Sequence, residues 1–428
     1  MKKHYLIALS ILGFQAMSFG QTPCDAGRYS TSIFANVNVT SDLNYGQNSG
    51  FTGANTQLDL DVYEPTGDTE TKRPLIIWAH GGSFIGGSKT DADVVALSNE
   101  FAKKGYVCAS IDYRLGMWPI DSTNSIKAVI RAVQDMKASI RYFYQDAATT
   151  DTYKIDTNNI FIGGSSAGAI TALHSAYFDK ECEIETYLSI AELNALGGIE
   201  GTSGNPGYST NVQGVINLCG ALASYGYIEA GDVPVCSLHG DDDGTVPYNR
   251  GLASVSGIGI MYLDGSRVIH EQAEAIGVQS NFYTYTSAGH VPYFGSAAYM
   301  DTTINFIRDF LIGIQGCTEG PLQSANTPLE SVDLYTLIFC GLGLNETSTE
   351  LIENPHPNPS DDLIAITLKD GVVLSSLQVI DLFGRVVSNI DIDGSAVILS
   401  KEEIGAGTYI VRATSSNGMV STMKVVFQ

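Results

Sequence analysis

Positive charge is scarce in this sequence relative to negative. Its 428 residues carry 23 lysines and arginines against 46 aspartates and glutamates, a formal net charge of −23. Such a field repels phosphate backbones and anionic lipid surfaces, which excludes nucleic acid as an expected partner. Long apolar runs are also missing: no stretch after residue 20 is long and apolar enough to cross a membrane. Cysteine is sparse. The seven (Cys24, Cys108, Cys182, Cys219, Cys236, Cys317 and Cys340) form no CxxC pair and no Cys/His cluster with zinc spacing, so no structural zinc is expected. Their odd number leaves at least one thiol unpaired within the chain, and Cys108, in an apolar strand pattern, reads as a buried thiol.

What is present is globular: 44% hydrophobic and 16% charged residues, in a chain too long for one compact core. Residues 1–20 read as an export signal. Lys2 and Lys3 open it, an apolar stretch follows from Tyr5 to Phe19, and Ser18 and Gly20 supply small residues before a cut at Gln21. From about Gln57 to Gln315, strand-like and helix-like segments alternate, which predicts a mostly parallel sheet covered by helices. Strands are expected at Leu58–Tyr63, Leu75–Ala79, Val107–Tyr113, Asn159–Gly163, Gly214–Cys219, Val233–Leu238 and Asn281–Thr286. The clearest helix aligns Ile126, Val129, Ile130, Val133, Met136, Ile140 and Tyr144 on one stripe. Asp179 to Gln213 breaks the alternation; an insertion over a functional site and a solvent-side excursion fit it equally. Glu319 to Glu353 reads mostly as linker, with one apolar piece at Leu334–Leu344. Beyond Asn358, short alternating strands (Leu363–Leu368, Leu377–Asp381, Ala396–Leu399, Thr408–Arg412 and Met423–Val426), with turn signals at Asp370-Gly371 and Asn417-Gly418, predict a small antiparallel sandwich.

Four segments carry chemistry. Gly164-Ser165-Ser166-Ala167-Gly168 fits G-x-S-x-G between an apolar run and a helical segment, the context of a nucleophile held on a sharp turn. Ser165 is out of register, because its +2 neighbour is alanine. A serine hydroxyl needs a neutral imidazole to take its proton. Of seven histidines, His4 and His356 lie in the end segments, His174 lies in the helix after the serine, and His80 and His239 open His-Gly turns, where a ring braces a loop. His270 and His290 remain. His290, in the loop after the last expected strand, is where this architecture places its base. His239-Gly240-Asp241-Asp242-Asp243-Gly244 offers three carboxylates to orient that imidazole; a run of acids also suits a solvated turn or a calcium loop. Trp78-Ala79-His80-Gly81-Gly82-Ser83-Phe84 supplies glycines whose N–H groups can face a carbonyl oxygen, and it lacks the Lys-Ser/Thr ending of a phosphate loop.

Together these pieces, with Leu58 to Tyr63 and Asp112-Tyr113-Arg114-Leu115, resemble the carboxylesterase and lipase branch of the α/β-hydrolases, particularly secreted bacterial feruloyl and acetyl esterase-like enzymes. The resemblance implies an α/β-hydrolase fold in which Ser166, Asp243 and His290 form a catalytic triad. The family's H-G-x-x-D-x-x-V-P pattern falls on Asp243, and its H-G-G-x motif makes Gly82 and Ser83, with Ala167, the oxyanion donors. Ser83 stands where many relatives carry a third glycine. No metal or cofactor is implied. The substrate is expected to be a small-molecule or polymeric ester, with Tyr113, Trp118, Tyr187, Tyr208, Tyr293 and Phe294 as candidate aromatic walls. The end of the chain is similar to the sorting domains of the type IX secretion system, through Pro357-Asn358-Pro359-Ser360, Asp381 to Arg385, Gly405 to Tyr409 and Lys424-Val425-Val426. It implies the secretion machinery as a partner and a secreted or cell-surface location. The expected organisation is a signal at 1–20, a hydrolase at 21–318 with its insertion at about 180–213, a linker at 319–353 and a β sorting domain at 354–428. A prolyl-oligopeptidase-type peptidase shares the triad order but normally carries a propeller or an acidic clamp. A non-catalytic binding protein on this scaffold normally loses the nucleophile or base.

Overall fold

A run of apolar β-branched and aromatic residues buries both faces of a strand only if helices cover each side. That is the arrangement in the computed structural model, which describes residues 24, 27–184, 187–317 and 351–427 without 354, 370, 382–385, 391, 393–395 and 416–419. The expected signal, almost all of the linker, the turns at Asp370 and Asn417-Gly418, and Leu382 to Arg385 lie outside the described residues. In chain order the elements are β1 (Val37–Ser49), β2 (Asn55–Pro65), β3 (Arg73–Ala79), α1 (Ala92–Lys103), β4 (Val107–Ile111), α2 (Ser122–Ala148), β5 (Ile155–Ser165), α3 (Ala167–Tyr177) and α4 (Ile190–Leu196). Then come β6 (Gly214–Leu218), β7 (Ala221–Leu222), β8 (Val235–Gly240), β9 (Arg250–Val255), β10 (Ile258–Gly265), α5 (Ser266–Ile276), β11 (Ser280–Tyr285) and α6 (Ala297–Ile314).

Eight strands form one sheet in the order β1-β2-β4-β3-β5-β6-β8-β11. From β4 to β11 every pairing is parallel; β1 and β2 close one edge antiparallel. This is the α/β-hydrolase fold. Alternation along β3 makes the two layers explicit: Leu75 and Ile77 join the core under α2 and α3, whereas Ile76 and Trp78 join the core under α1 and α6. The sheet starts earlier than the alternation near Gln57 suggests, because β1 is polar, largely solvent-facing and twice shifted in register. A second structure absent from the expected pattern is a three-stranded sheet, β7-β10-β9, whose β9–β10 hairpin leaves the main sheet.

The segment after α3 divides into two parts. Its first half packs Ile184, Tyr187 and Leu188 against the α2–α3 core. Its second half turns back behind α2, where Ser203 donates to Asp135 and its carbonyl accepts from Gln47 N–H of β1. A disulfide joins Cys24 to Cys317; Cys182 is disulfide-bonded as well, and Cys108, Cys219 and Cys236 are buried free thiols.

Residues 351–427 form antiparallel sheets around their own apolar core of Ile364, Ile366, Val379, Val411 and Val425. The strands are β12 (Leu363–Thr367), β13 (Leu374–Asp381), β14 (Val386–Ile390), β15 (Ala396–Ser400), β16 (Gly407–Ser415) and β17 (Val420–Phe427), with a short helix α7 (Lys401–Ile404). β12 pairs with β15, and the other four run in the order β14-β13-β16-β17.

Candidate active site

The turn from β5 into α3 fixes Ser166 at φ 54° and ψ −116°, outside the regions an L-residue prefers. Two glycines make that turn sterically possible. A Cβ at Gly164 would sit 2.3 Å from the Gly168 carbonyl carbon, and one at Gly168 would sit 2.0 Å from the Ala79 carbonyl oxygen. The strained turn therefore rests on close backbone approach to β3, and it places the serine at the carboxyl end of the sheet.

Loops after β8 and β11 bring the other two groups. His290 Nε2 lies 2.8 Å from Ser166 Oγ, and His290 Nδ1 lies 2.6 Å from Asp243 Oδ2. A carboxylate only accepts, so Nδ1–H donates to Asp243 and Nε2 keeps its lone pair for the serine proton. Gly240 allows the two loops to meet: a Cβ there would fall 2.2 Å from the Ala288 carbonyl oxygen. Asp241 holds the second loop by accepting from Ser287 N–H at 2.6 Å, so the three neighbouring acids have separate environments.

The Asp243 side chain is fully buried and all its acceptor sites are used. Oδ1 accepts from the N–H groups of Thr245 and Val246, at 2.8 and 3.0 Å. Oδ2 takes His290 and also His239 Nε2–H, at 3.1 Å. Burial alone would raise its pKa, but the hydrogen bonds from His239 and His290 hold it well below the usual carboxylate range. His239 does more than brace a loop: its Nδ1 accepts from Ser266 Oγ at 2.7 Å, which fixes the tautomer that donates to the acid. Its position four residues before Asp243 was the available sequence signal.

Among the described residues, His270, His80 and His174 have other partners than the serine. His270 is buried against Ser280 Oγ at 2.9 Å. His80 stacks on Tyr113, with Nδ1 2.6 Å from the Gly81 carbonyl. His174 donates Nδ1–H to Ile170 O and accepts at Nε2 from Ala223 N–H; burial pushes its pKa down to about 4.

The β3–α1 loop faces the serine. A Cβ built on Gly81 would approach Ser166 Cβ at 3.5 Å, and Gly82, Ser83 and Phe84 all have positive φ (104°, 55° and 61°). Ser83 thus occupies a left-handed position that glycine adopts freely. Among the described residues, the N–H groups of Gly82, Ser83 and Ala167 donate to no protein acceptor, which leaves them available to an anionic oxygen. Ala167 also heads α3, where the helix dipole favours negative charge.

Two cavities meet at Ser166. The outer one is walled by the Gly81–Ser83 loop, Asp91, Asp93, Thr245, His290 and Phe294. The inner one is apolar, with Val129 and Ile130 of α2, Ile170 of α3, Ile184 of the insertion, and Met261 and Leu263 of the hairpin among its walls. Of the aromatic candidates, Tyr187 borders the inner cavity and Phe294 the outer. Tyr113 donates to the His80 carbonyl and Tyr293 pairs with Ser165 Oγ, both buried, while Trp118 is 71% exposed and Tyr208 half-buried. Cys219 brings its sulfur within 4.8 Å of donor atoms on Asp243 and His290, a set that could hold a metal ion by position. Two imidazoles already occupy the Asp243 oxygen, and burial pushes the Cys219 thiol up to about 12.

Residues 60–196 match the BD-FAE family model, and residues 355–428 match that of the secretion system C-terminal sorting domain. The first match includes Gly82, Ser83, Ser166 and Ala167 and ends before Asp243 and His290. The chain is 35% identical to Carboxylesterase 3B of Mus musculus over 115 residues, covering 26% of this chain and 19% of that protein. It is 31% identical to Esterase LipC of Mycobacterium tuberculosis over 112 residues, 26% and 24% of the two chains. It therefore spans about a fifth to a quarter of the length of these curated relatives. Among solved structures, propionate-bound Thermogutta terrifontis Est2 aligns over 67% of this chain and 97% of that one, with 21% identity and a TM-score of 0.47.

Proposed function

We propose that this chain, which joins a BD-FAE-like α/β-hydrolase region to a secretion-system sorting tail, is an exported serine hydrolase of carboxylic esters. The observation that carries the reading is the unbroken hydrogen-bonded line from Ser166 Oγ through His290 to Asp243 beside three unclaimed N–H groups.

As Ser166 Oγ attacks the ester carbon, its proton passes to His290 Nε2. The carbonyl oxygen becomes an oxyanion held by the N–H groups of Gly82, Ser83 and Ala167. Collapse breaks the bond to the alcohol oxygen, which takes the serine's former proton from His290 and leaves an acyl-enzyme. Water then attacks and gives a proton to His290; collapse expels Ser166 Oγ, which takes that proton from His290 as the acid leaves. Asp243 stays ionised throughout, holding the imidazole in one tautomer and stabilising the imidazolium. Its low pKa suits that role.

The sorting tail supports export by a type IX system and a final location outside the cell or on its surface. Among the described residues, no helix is long and apolar enough to cross a membrane. Ser166→Ala in the full-length chain tests the chemistry. Hydrolysis of p-nitrophenyl butyrate is expected to fall on the order of 10⁶-fold with thermal unfolding unchanged. Retained hydrolysis overturns the nucleophile.

A further inference from the structure

The two cavities differ in what they can reach, and that difference assigns the two halves of an ester. The departing alcohol oxygen must take its proton from His290, and His290 borders only the outer cavity. The acyl carbon must sit between Ser166 and the three N–H donors, so its substituent points the other way, past Ala167 and Ile170, into the inner cavity.

Away from the serine and its Ser83 and Thr245 neighbours, the polar side chains His174, Ser125, Tyr187 and Tyr227 that border the inner cavity are already engaged within the protein. Both ring nitrogens of His174 are used. Ser125 donates to the Asp121 carbonyl, Tyr187 to the Ala223 carbonyl and Tyr227 to the Glu183 carbonyl. A phenol hydroxyl brought in on a feruloyl group would give up its water for a few hydroxyl oxygens already turned toward backbone carbonyls, a loss that weighs heavily in an otherwise apolar site. A methylene chain meets no such cost and gains by leaving water.

Resting on the serine-hydrolase reading, we propose that the inner cavity is an acyl subsite for unbranched aliphatic chains longer than acetyl, which makes the enzyme selective for aliphatic over hydroxycinnamoyl esters. The walls come from four separate pieces, α2, α3, the segment around Ile184 and the β9–β10 hairpin, so chain length is set where these converge.

The test is a series of p-nitrophenyl acetate, butyrate, hexanoate and octanoate, with p-nitrophenyl ferulate alongside, hydrolysed by the full-length chain. From acetate to hexanoate, kcat/KM is expected to rise about fourfold per methylene, and ferulate is expected to fall below hexanoate. Val129→Phe, which projects into the cavity from α2, should lower the hexanoate-to-acetate ratio at least tenfold. Met261→Trp, on the hairpin, provides the same readout if the helix variant does not fold. A wild type that prefers acetate or ferulate overturns the proposal, as does an unchanged ratio in a folded variant. Ser166→Ala separates the two readings: loss of hydrolysis there, together with an acetate optimum in the wild type, removes the acyl subsite and leaves the hydrolase standing.

Discussion

At the strand ends, Ser166, Asp243 and His290 are held by backbone approaches as tight as steric contact allows. Gly164, Gly168 and Gly240 each face a carbonyl group that a Cβ would strike. In the pocket walls, the hairpin is held by apolar packing at half-buried positions such as Ala253, Val255 and Met261, with Leu252, Ile258 and Tyr262 exposed, whereas the insertion buries Ile184, Leu188 and Leu193. The first region leaves almost no freedom to substitute. The hairpin, paired in a separate small sheet, lies outside that constraint. On the proposed reading, one chain separates the part that carries out the reaction from the part that selects its substrate.

That contrast can be broken most directly at the proposed base. His290→Ala should lower kcat for p-nitrophenyl butyrate by on the order of 10⁴–10⁶, whereas His270→Ala, a buried ring 2.9 Å from Ser280 and remote from the serine, should retain most activity. The reverse ranking would move the base to the other histidine. Ser83→Gly gives a smaller effect. Glycine relieves the left-handed backbone at φ 55° while keeping the N–H, so kcat should stay within about threefold and stability should rise by about 1 kcal/mol or less, measured by urea unfolding. A large fall in kcat would show that the hydroxyl takes part.

The last effect is on stability alone, at Glu183 beside the pocket-lining Ile184. Burial pushes the Glu183 carboxyl up to about 7, despite hydrogen bonds from the N–H groups of Lys180 and Asp179. Between the ordinary carboxylate range and about pH 7 the folded chain holds a proton that the unfolded chain has released. Stability from this group therefore falls as pH rises through that window. Glu183→Gln should raise the Tm by a few degrees at pH 8 and leave it nearly unchanged at pH 5. Equal shifts at both values would separate the effect from titration.

What the sequence revealed follows the same division. The parallel strands were readable because burial on both faces demands continuous apolar runs, as at Leu75 to Ala79. The proposed nucleophile turn was readable because its glycines are steric necessities. β1 was hidden because a polar edge strand with two register shifts has no apolar alternation to show. The hairpin was hidden for a related reason: Gly251, Gly257 and Gly259 interrupt its pattern, and its inner face is recognised only against helices distant in sequence. In the tail, β14 (Val-Val-Ser-Asn-Ile) was too short and mixed to stand out. The second imidazole on Asp243 was visible only as spacing, since nothing in the letters says that Ser266 fixes its tautomer.

The bond between Cys24 and Cys317 spans 293 positions and lies three residues beyond the end of α6. It turns the intervening chain into a covalent ring. Traction or a protease cut beyond Cys317 therefore reaches a closed loop rather than a free end, and α6 cannot be unzipped from its terminus while the ring is intact. A cargo built this way can be hauled by its tail, or lose that tail, without fraying.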